Sequence, residues 1–443
     1  MLKNTSRPLY NTITTHNAKN TASFHTPGHK IHANFLNDIT TAFDTTELPD
    51  TGSLFDGNDA IEVSEKLSAV AFNAGLTLFS AGGCTLCIQT MLALTTSPGG
   101  SKVIMARHSH GSAIRTAALL DINPIWLWSE AGKQTCVEDV KAALVSNPSV
   151  KVVYLTSPDY YGNLADIPAI SAECQKFGAK LLVDNAHGSH LGAFNLHPLS
   201  LGADITADSA HKTLPVLTGG AFLHFSNRSE YSYQRAKSAM ALFASTSPSF
   251  MTLTSLELAR EWWEQSGKVE YKNVAVMVNN FTRIARARGI AIPQNTLRDP
   301  ARLTLNTSSI GMTGKEAAEY FRANGCEPEY SDSQHVVFII TPFNTPEELS
   351  QLGQSIAAIP VSHPLPCEEY PVQHPDIVMT PRTAMASLQT EIQTIHAAGE
   401  TCAIPLCPCP PGIPILMPGE KIQPSHIPIL LAAGYERLNI VAI

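Results

Sequence analysis

Charge is scarce in this sequence. Acidic and basic side chains together make up 15% of its 443 residues, against roughly 25% in ordinary soluble chains. So thin a charged surface implies cover by a partner subunit or by apolar packing, and homo-oligomerisation is the simplest source of that cover. Lysine and arginine never gather into a run that could track a phosphate backbone, and the net charge is 30 − 38 = −8. Nucleic acid is therefore excluded as a partner. No apolar run approaches the roughly 20 residues that a membrane-spanning helix needs. The start, Met1-Leu2-Lys3-Asn4-Thr5-Ser6, lacks the apolar core of a signal peptide, and the expected location is the cytoplasm. Nine scattered cysteines, an odd number, fit reduced thiols and not a disulfide scaffold. Cys402, Cys407 and Cys409 are the one dense group; their spacing is no zinc pattern, prolines surround them, and no metal site is expected. Internal repeats are absent as well.

What is present is a chain that is 44% hydrophobic, long enough for a large domain and a smaller one. The expected division is an N-terminal arm over 1–45, a large domain over 46–290 and a small α+β domain over 291–443. Strand-like apolar runs recur at Leu76 to Phe79, Val103 to Ala106, Ile125 to Trp128, Val152 to Leu155, Leu181 to Asp184, Ile205 to Ala207 and Ala221 to Phe225. Helical stretches separate them, beginning with Ile61 to Phe72 ahead of the first run. Such alternation predicts an α/β fold with a mostly parallel sheet covered on both faces. Beyond 290, runs at Leu303 to Leu305 and Val336 to Ile340 alternate with helices at Gly314 to Asn324 and Pro346 to Ala358.

Ligands of such sheets sit beyond the carboxyl ends of the strands, which directs attention to four junctions. Gly82-Gly83-Cys84-Thr85 opens a helix and offers backbone N–H groups to a phosphate, although a tight turn explains the glycines equally well. His110 opens the next helix, as a ring to stack on an aromatic group or as a simple cap. Asp184 ends a very apolar strand, where a buried carboxylate needs a cationic partner. Lys212 lies in a polar island, Asp208 to Thr213, before Gly219-Gly220; enclosed, its amine would be a nucleophile for imine formation, and in the open it would be a surface charge. A phosphate cradle, a stacking imidazole, a buried carboxylate and a lysine nucleophile are together the needs of pyridoxal 5′-phosphate.

Two further stretches stay open on the residues alone. Phe24-His25-Thr26-Pro27-Gly28-His29-Lys30 is either part of a mobile tail or a turn that reaches a neighbouring subunit's cleft. The acidic loop from Thr46 to Asp56 is either solvated or a selector for a cationic substrate.

These motifs resemble the fold-type I ornithine/lysine/arginine decarboxylases, in particular short bacterial members without an N-terminal wing domain. The likeness rests on the 24–30 stretch, Thr46-Glu47-Leu48, Asp184-Asn185-Ala186-His187-Gly188, Ser209 to Pro215, Ser245-Thr246-Ser247-Pro248-Ser249, Met379-Thr380-Pro381-Arg382, and Pro410 to Pro414 with Pro418-Gly419-Glu420. The resemblance implies that Lys212 holds the cofactor covalently. It implies phosphate contacts from Cys84, Thr85, Ser209 and His211, beside the Gly83 turn already read as a phosphate cradle, and stacking by His110. Asp184 would pair with the pyridinium nitrogen, Ala186 would pack on the ring, and His187 would lie near the cofactor hydroxyl. Thr246 would reach the phosphate in the other subunit, so a homodimer or a higher even-numbered oligomer is expected.

Several positions depart from the family pattern: Asn185 stands for glutamate, Cys84 for a hydroxyl residue, Gly111 for lysine, Asp159 for threonine and Cys409 for an aromatic residue, and the acidic loop differs at Gly52-Ser53-Leu54-Phe55-Asp56. The catalytic set is nevertheless intact as Lys212, His110, Asp184 and His211, and the reaction it implies is decarboxylation of a basic amino acid, arginine first, then lysine or ornithine. Glu47, Asp56 and Glu420 are the acids expected to meet the distal cation. The rival readings are an aminotransferase or another lyase on the same fold, and a catalytically idle regulatory relative.

Overall fold

The computed structural model describes residues 15–442 except 17, 20, 58–59, 98, 129–133, 294–296, 367–373 and 408–413. Met1 to Ser6, Cys409 and the Pro410 to Ile413 part of the proline-rich motif lie outside the described residues.

All seven strand-like runs of the large domain form one sheet. In chain order the strands are β1 (Ala22–Phe24), β2 (Leu76–Ser80), β3 (Lys102–Ala106), β4 (Asn123–Leu127), β5 (Val152–Thr156), β6 (Lys180–Asp184), β7 (Ile205–Asp208) and β8 (Ala221–Phe225). The central sheet runs β2-β8-β7-β6-β5-β3-β4. Its β4-β3-β5-β6-β7 portion is parallel, while β8 lies antiparallel to both β7 and β2. The strand expected to end at Trp128 stops at Leu127. Trp128 instead leaves the sheet to stack on His374 with ring centroids 4.1 Å apart, and Pro124 is tolerated because β4 is an edge strand.

Side chains alternate across the sheet, and this alternation sets up the site. Tyr154 and Leu182 pack in one apolar cluster with the helix Gly83–Thr95, whereas Val153, Leu181 and Val183 pack in another. Asp184 shares the parity of Leu182, so its carboxylate emerges on the face covered by that helix. Thr206, Asp208 and His224 have the opposite parity to Ile205, Ala207, Leu223 and Phe225 of the same cluster, and project from the other face.

The remaining strands are β9 (Arg302–Asn306), β10 (Cys326–Pro328), β11 (Tyr330–Ser331), β12 (His335–Ile339), β13 (Gln389–Gln393) and β14 (Arg437–Val441). A sheet of order β11-β12-β9 carries the helix Gly314–Ala323, and the helix Pro346–Ala358 packs against β1 and β10. Threonines 313 and 345 start these helices with capping boxes, which satisfy orphan N–H groups in the first turn. The described part of the N-terminal arm is no detached tail. Its β1 pairs in parallel with β10, and Phe24 is buried in the cluster that holds Phe338, Phe321 and Trp263. Beyond 376, β13 and β14 pair around a separate core of Leu406, Leu416, Leu430 and Leu438. The region beyond 290 thus holds two packing units.

Candidate active site

Lys212 sits in the one-turn helix Ala210–Thr213, which starts directly after β7. That turn is clamped from several sides. The His211 N–H donates to the Gly220 carbonyl at 3.1 Å, and the Gly28 N–H donates to the His211 carbonyl at 2.8 Å. The Tyr271 hydroxyl donates to the Thr213 carbonyl. A β-carbon on Gly28 would stand 2.7 Å from the Thr213 carbonyl carbon, so only glycine fits. The 24–30 motif therefore braces the lysine turn of its own chain, and Thr341 Oγ1 donates to the Gly28 carbonyl at 2.8 Å from the small-domain side.

The Lys212 amine lies 3.0 Å from Nε2 of His187 and 6.0 Å from the Tyr160 ring centre. Burial lowers its pKa, against the opposing pull of Asp184, and so favours the neutral, nucleophilic amine. His187 is held well below the usual imidazole range, first by burial and then by Lys212. It is positioned by Arg302, whose Nη2 is 3.3 Å from Nδ1.

Asp184 is buried at the end of β6, where it accepts from the Ala186 N–H at 3.1 Å and the Tyr154 hydroxyl at 3.3 Å. Burial raises its pKa, with His110 and then Lys212 opposing. A carboxylate held by so few donors in an apolar wall is the counter-charge that a protonated ring nitrogen requires. His110 caps the helix Gly111–Leu119, accepting from the Ser112 N–H at 3.2 Å through Nδ1; burial lowers its pKa. The cap and the cavity-facing ring are compatible, so the two readings of His110 merge.

Gly83 begins the helix Gly83–Thr95 with φ +68°, and nothing lies within 4 Å of where its β-carbon would stand. An open space over the N–H groups of a helix start suits a phosphate. The Cys84 sulfur points to the cavity floor, 3.9 Å from Asp184 Oδ1, leaving Thr85 to supply the hydroxyl.

These groups enclose a cavity of about 360 Å³. Every cofactor residue expected from the sequence lines it except Thr246, namely Gly83, Cys84, Thr85, His110, Asp184, Ala186, His187, Ser209, His211 and Lys212. His108, Tyr160, Tyr161 and Tyr330 join them. Tyr330 and Arg302 carry no local motif, because each reaches the site only through tertiary packing of the small domain. The substrate-binding acids fall elsewhere. Glu420 is corrected outright: it is buried and clasps Arg107 through both carboxylate oxygens, at 2.5 and 2.7 Å, so its charge is already neutralised inside the protein. Glu47 accepts from Thr46 Oγ1 at 2.7 Å in its own loop, Asp56 and Thr246 are exposed, and none of the three lines this cavity.

A cavity built from a lysine, a buried carboxylate and a helix-start phosphate cradle at the strand ends of this sheet defines a pyridoxal-phosphate enzyme of fold type I. Residues 7–295 match the family Orn/Lys/Arg decarboxylase, major domain, and residues 367–432 match the Orn/Lys/Arg decarboxylase, C-terminal domain. The chain belongs to this family and is a pyridoxal-phosphate-dependent amino acid decarboxylase. It is 28% identical to the arginine decarboxylase of Bacillus subtilis (strain 168) over 456 residues, covering 95% of this chain and 92% of that one. It is likewise 28% identical to the uncharacterized protein YaaO of the same organism over 448 residues, with 95% and 92% covered. The crystal structure of the Francisella novicida lysine decarboxylase superposes with a TM-score of 0.75 at 15% identity, covering 93% of this chain and 76% of that one; that likeness concerns the fold.

Proposed function

We propose that this chain decarboxylates a basic amino acid, arginine first and lysine or ornithine next, to the corresponding amine, and so contributes to polyamine formation in the cytoplasm. The carrying observation is the Lys212 amine in one cavity with Asp184 and His187, inside a family of basic amino acid decarboxylases. Pyridoxal phosphate, when bound, supplies the electron sink for the pair left by CO₂. Asp184 would keep the ring nitrogen protonated through opposite charge, and burial would strengthen that interaction. His110 would stack on the ring, and Thr85 with the N–H groups at the Gly83 helix start would hold the phosphate. His187, poised by Arg302, stands where it can share a proton with Lys212. With the cofactor bound, the Lys212 amine would hold a proton for delivery at the substrate's Cα, with His211 as the alternative acid.

Thr246, Glu47 and Asp56 are assigned to the site of a neighbouring subunit in a homodimer. In support, the helix Ala60–Ala71 leaves Val63, Leu67 and Val70 57%, 44% and 77% exposed on one stripe, an apolar face of the kind that partner subunits cover. Arginine leads among the substrates because of the arginine decarboxylase relatives. The test is to supply the purified holoenzyme with arginine, lysine and ornithine in turn and to measure CO₂ and amine. Stoichiometric CO₂ and amine, highest with arginine, is the expected result. Keto-acid formation in place of CO₂ would make the chain an aminotransferase, and turnover of none of the three would overturn the substrate class.

A further inference from the structure

On the sheet face opposite the cofactor cavity lies a second group of polar side chains that the reaction does not use. His197, Asp208 and His224 each offer a ligand atom, and these atoms all lie within 4.8 Å of one another. Nε2 of His197 is 2.9 Å from Asp208 Oδ2. The Asn185 amide nitrogen is 2.7 Å from the same oxygen and 3.1 Å from His197 Nε2. His224 Nδ1 lies 2.8 Å from Thr77 Oγ1 on β2. Since β8 runs between β2 and β7, the ring turns its other nitrogen, Nε2, toward Asp208 on β7. That nitrogen is buried and has no hydrogen-bond partner, and neither has Oδ1 of Asn185. His224 and Asp208 are 0% exposed, His197 4%, and the His224 ring is walled by Phe72 and Phe222 at 5.1 and 5.4 Å. A buried ring nitrogen without a partner is unfavourable, and this one is aimed into the group.

The geometry points to a site for a divalent transition-metal cation of the zinc type, held by His197, Asp208 and His224. Two imidazoles and a carboxylate are a donor set such a cation takes, with bonds of about 2.0–2.2 Å. A fourth donor is at hand: turning the Asn185 amide over places Oδ1 where its nitrogen now stands, beside both His197 and Asp208. On binding, the cation takes the place of the Nε2 proton that His197 shares with Asp208; that proton moves to Nδ1, where the Leu199 N–H that now donates at 3.3 Å gives way, so the ring ligates as a neutral imidazole and no electrons move. Thr77 then orients the His224 ring from behind, as outer hydrogen-bond partners of ligating histidines do. The ligands come from three separate elements, the loop after β6, the end of β7 and the middle of β8, which is why no ligand spacing shows in the sequence. Asp208 directly precedes Ser209, so the cation fastens the strand that carries the Lys212 turn.

The test uses the full-length holoenzyme produced in zinc-supplemented medium and dialysed exhaustively against metal-free buffer, with metal content read by mass spectrometry. About one zinc ion per chain is expected in the wild type, and roughly a tenth of that or less in His224→Gln and His197→Gln. A strong chelator should lower the wild-type Tm and leave those of the two variants unchanged. Should the variants fail to fold, wild-type protein produced with cobalt(II) gives a second readout, the intense visible bands of a four-coordinate nitrogen and oxygen site. Wild-type protein without bound metal would overturn the assignment in favour of a buried water. Zinc retained undiminished in folded His224→Gln would place the metal elsewhere.

Discussion

Gly28 lies so close to Thr213 that a β-carbon on the first would stand 2.7 Å from the carbonyl carbon of the second. The N-terminal motif is thereby built into the support of the Lys212 turn. Gly28→Ala should displace the Ala210–Thr213 turn, with an overpacking penalty of about 1–3 kcal/mol and weaker cofactor retention. Gly83→Ala is the contrasting case, since its β-carbon meets no atom but its φ of +68° is strained for alanine, by about 1–2 kcal/mol. Denaturant midpoints and cofactor titrations on the two variants check this. Both should weaken cofactor binding, and only Gly28→Ala should do so by moving Lys212.

Glu420 holds Arg107 in a buried two-oxygen ion pair, and the guanidinium also lies 4.0 Å over the Trp128 ring. Removing one partner strands a buried charge, so Glu420→Ala should destabilise by about 3–5 kcal/mol. The double change Arg107→Met with Glu420→Leu should recover much of that loss. Thermal unfolding measures both, and KM for the substrate should be unchanged in whatever Glu420→Ala folds.

Lys30 gives a pH dependence with a definite sign. It is buried, donates to the His25 carbonyl, and is pushed down to about 7 by burial, with Glu329 and Glu348 opposing. In the unfolded chain its amine titrates near its ordinary value of about 10.4. Between those two values the unfolded state binds a proton that the folded state does not, so folding stability rises with pH across that window. Below it both states are protonated and the penalty of a buried cation is fully present. Lys30→Met should therefore be more stable than wild type at acid and neutral pH, with the gap closing between about pH 7 and 10. Chemical denaturation across that range reads the gap, and a gap independent of pH would contradict the assignment.

Much of the fold was legible because continuous apolar runs survive in the sequence, as strands buried on both faces require: β5 and β6 send alternate residues to two distinct cores. The residues that line the cavity were legible because most of them sit directly at the ends of those runs, where chain order and space coincide. What was not legible depends on distant pairings. Arg107 meets Glu420 across 313 positions, and Arg302 reaches His187 only once β9 has packed beside the large domain. The Asp208 grouping escaped notice for the same reason. The 24–30 motif could be read as a mobile tail or as a turn reaching a neighbouring subunit's cleft, but its partner, the back of the Lys212 turn in its own chain, cannot be inferred from local pattern.

The most direct test replaces Lys212 itself. Holoenzyme and Lys212→Ala protein, each with pyridoxal phosphate, are given carboxyl-labelled arginine, and released CO₂ is counted against time. Lys212 as cofactor anchor and proton carrier predicts a fall in rate of at least about a hundredfold, the lower end of what one positioned acid–base group contributes. It also predicts loss of the visible absorbance of the covalently held cofactor. Release of CO₂ at the wild-type rate from Lys212→Ala would contradict it.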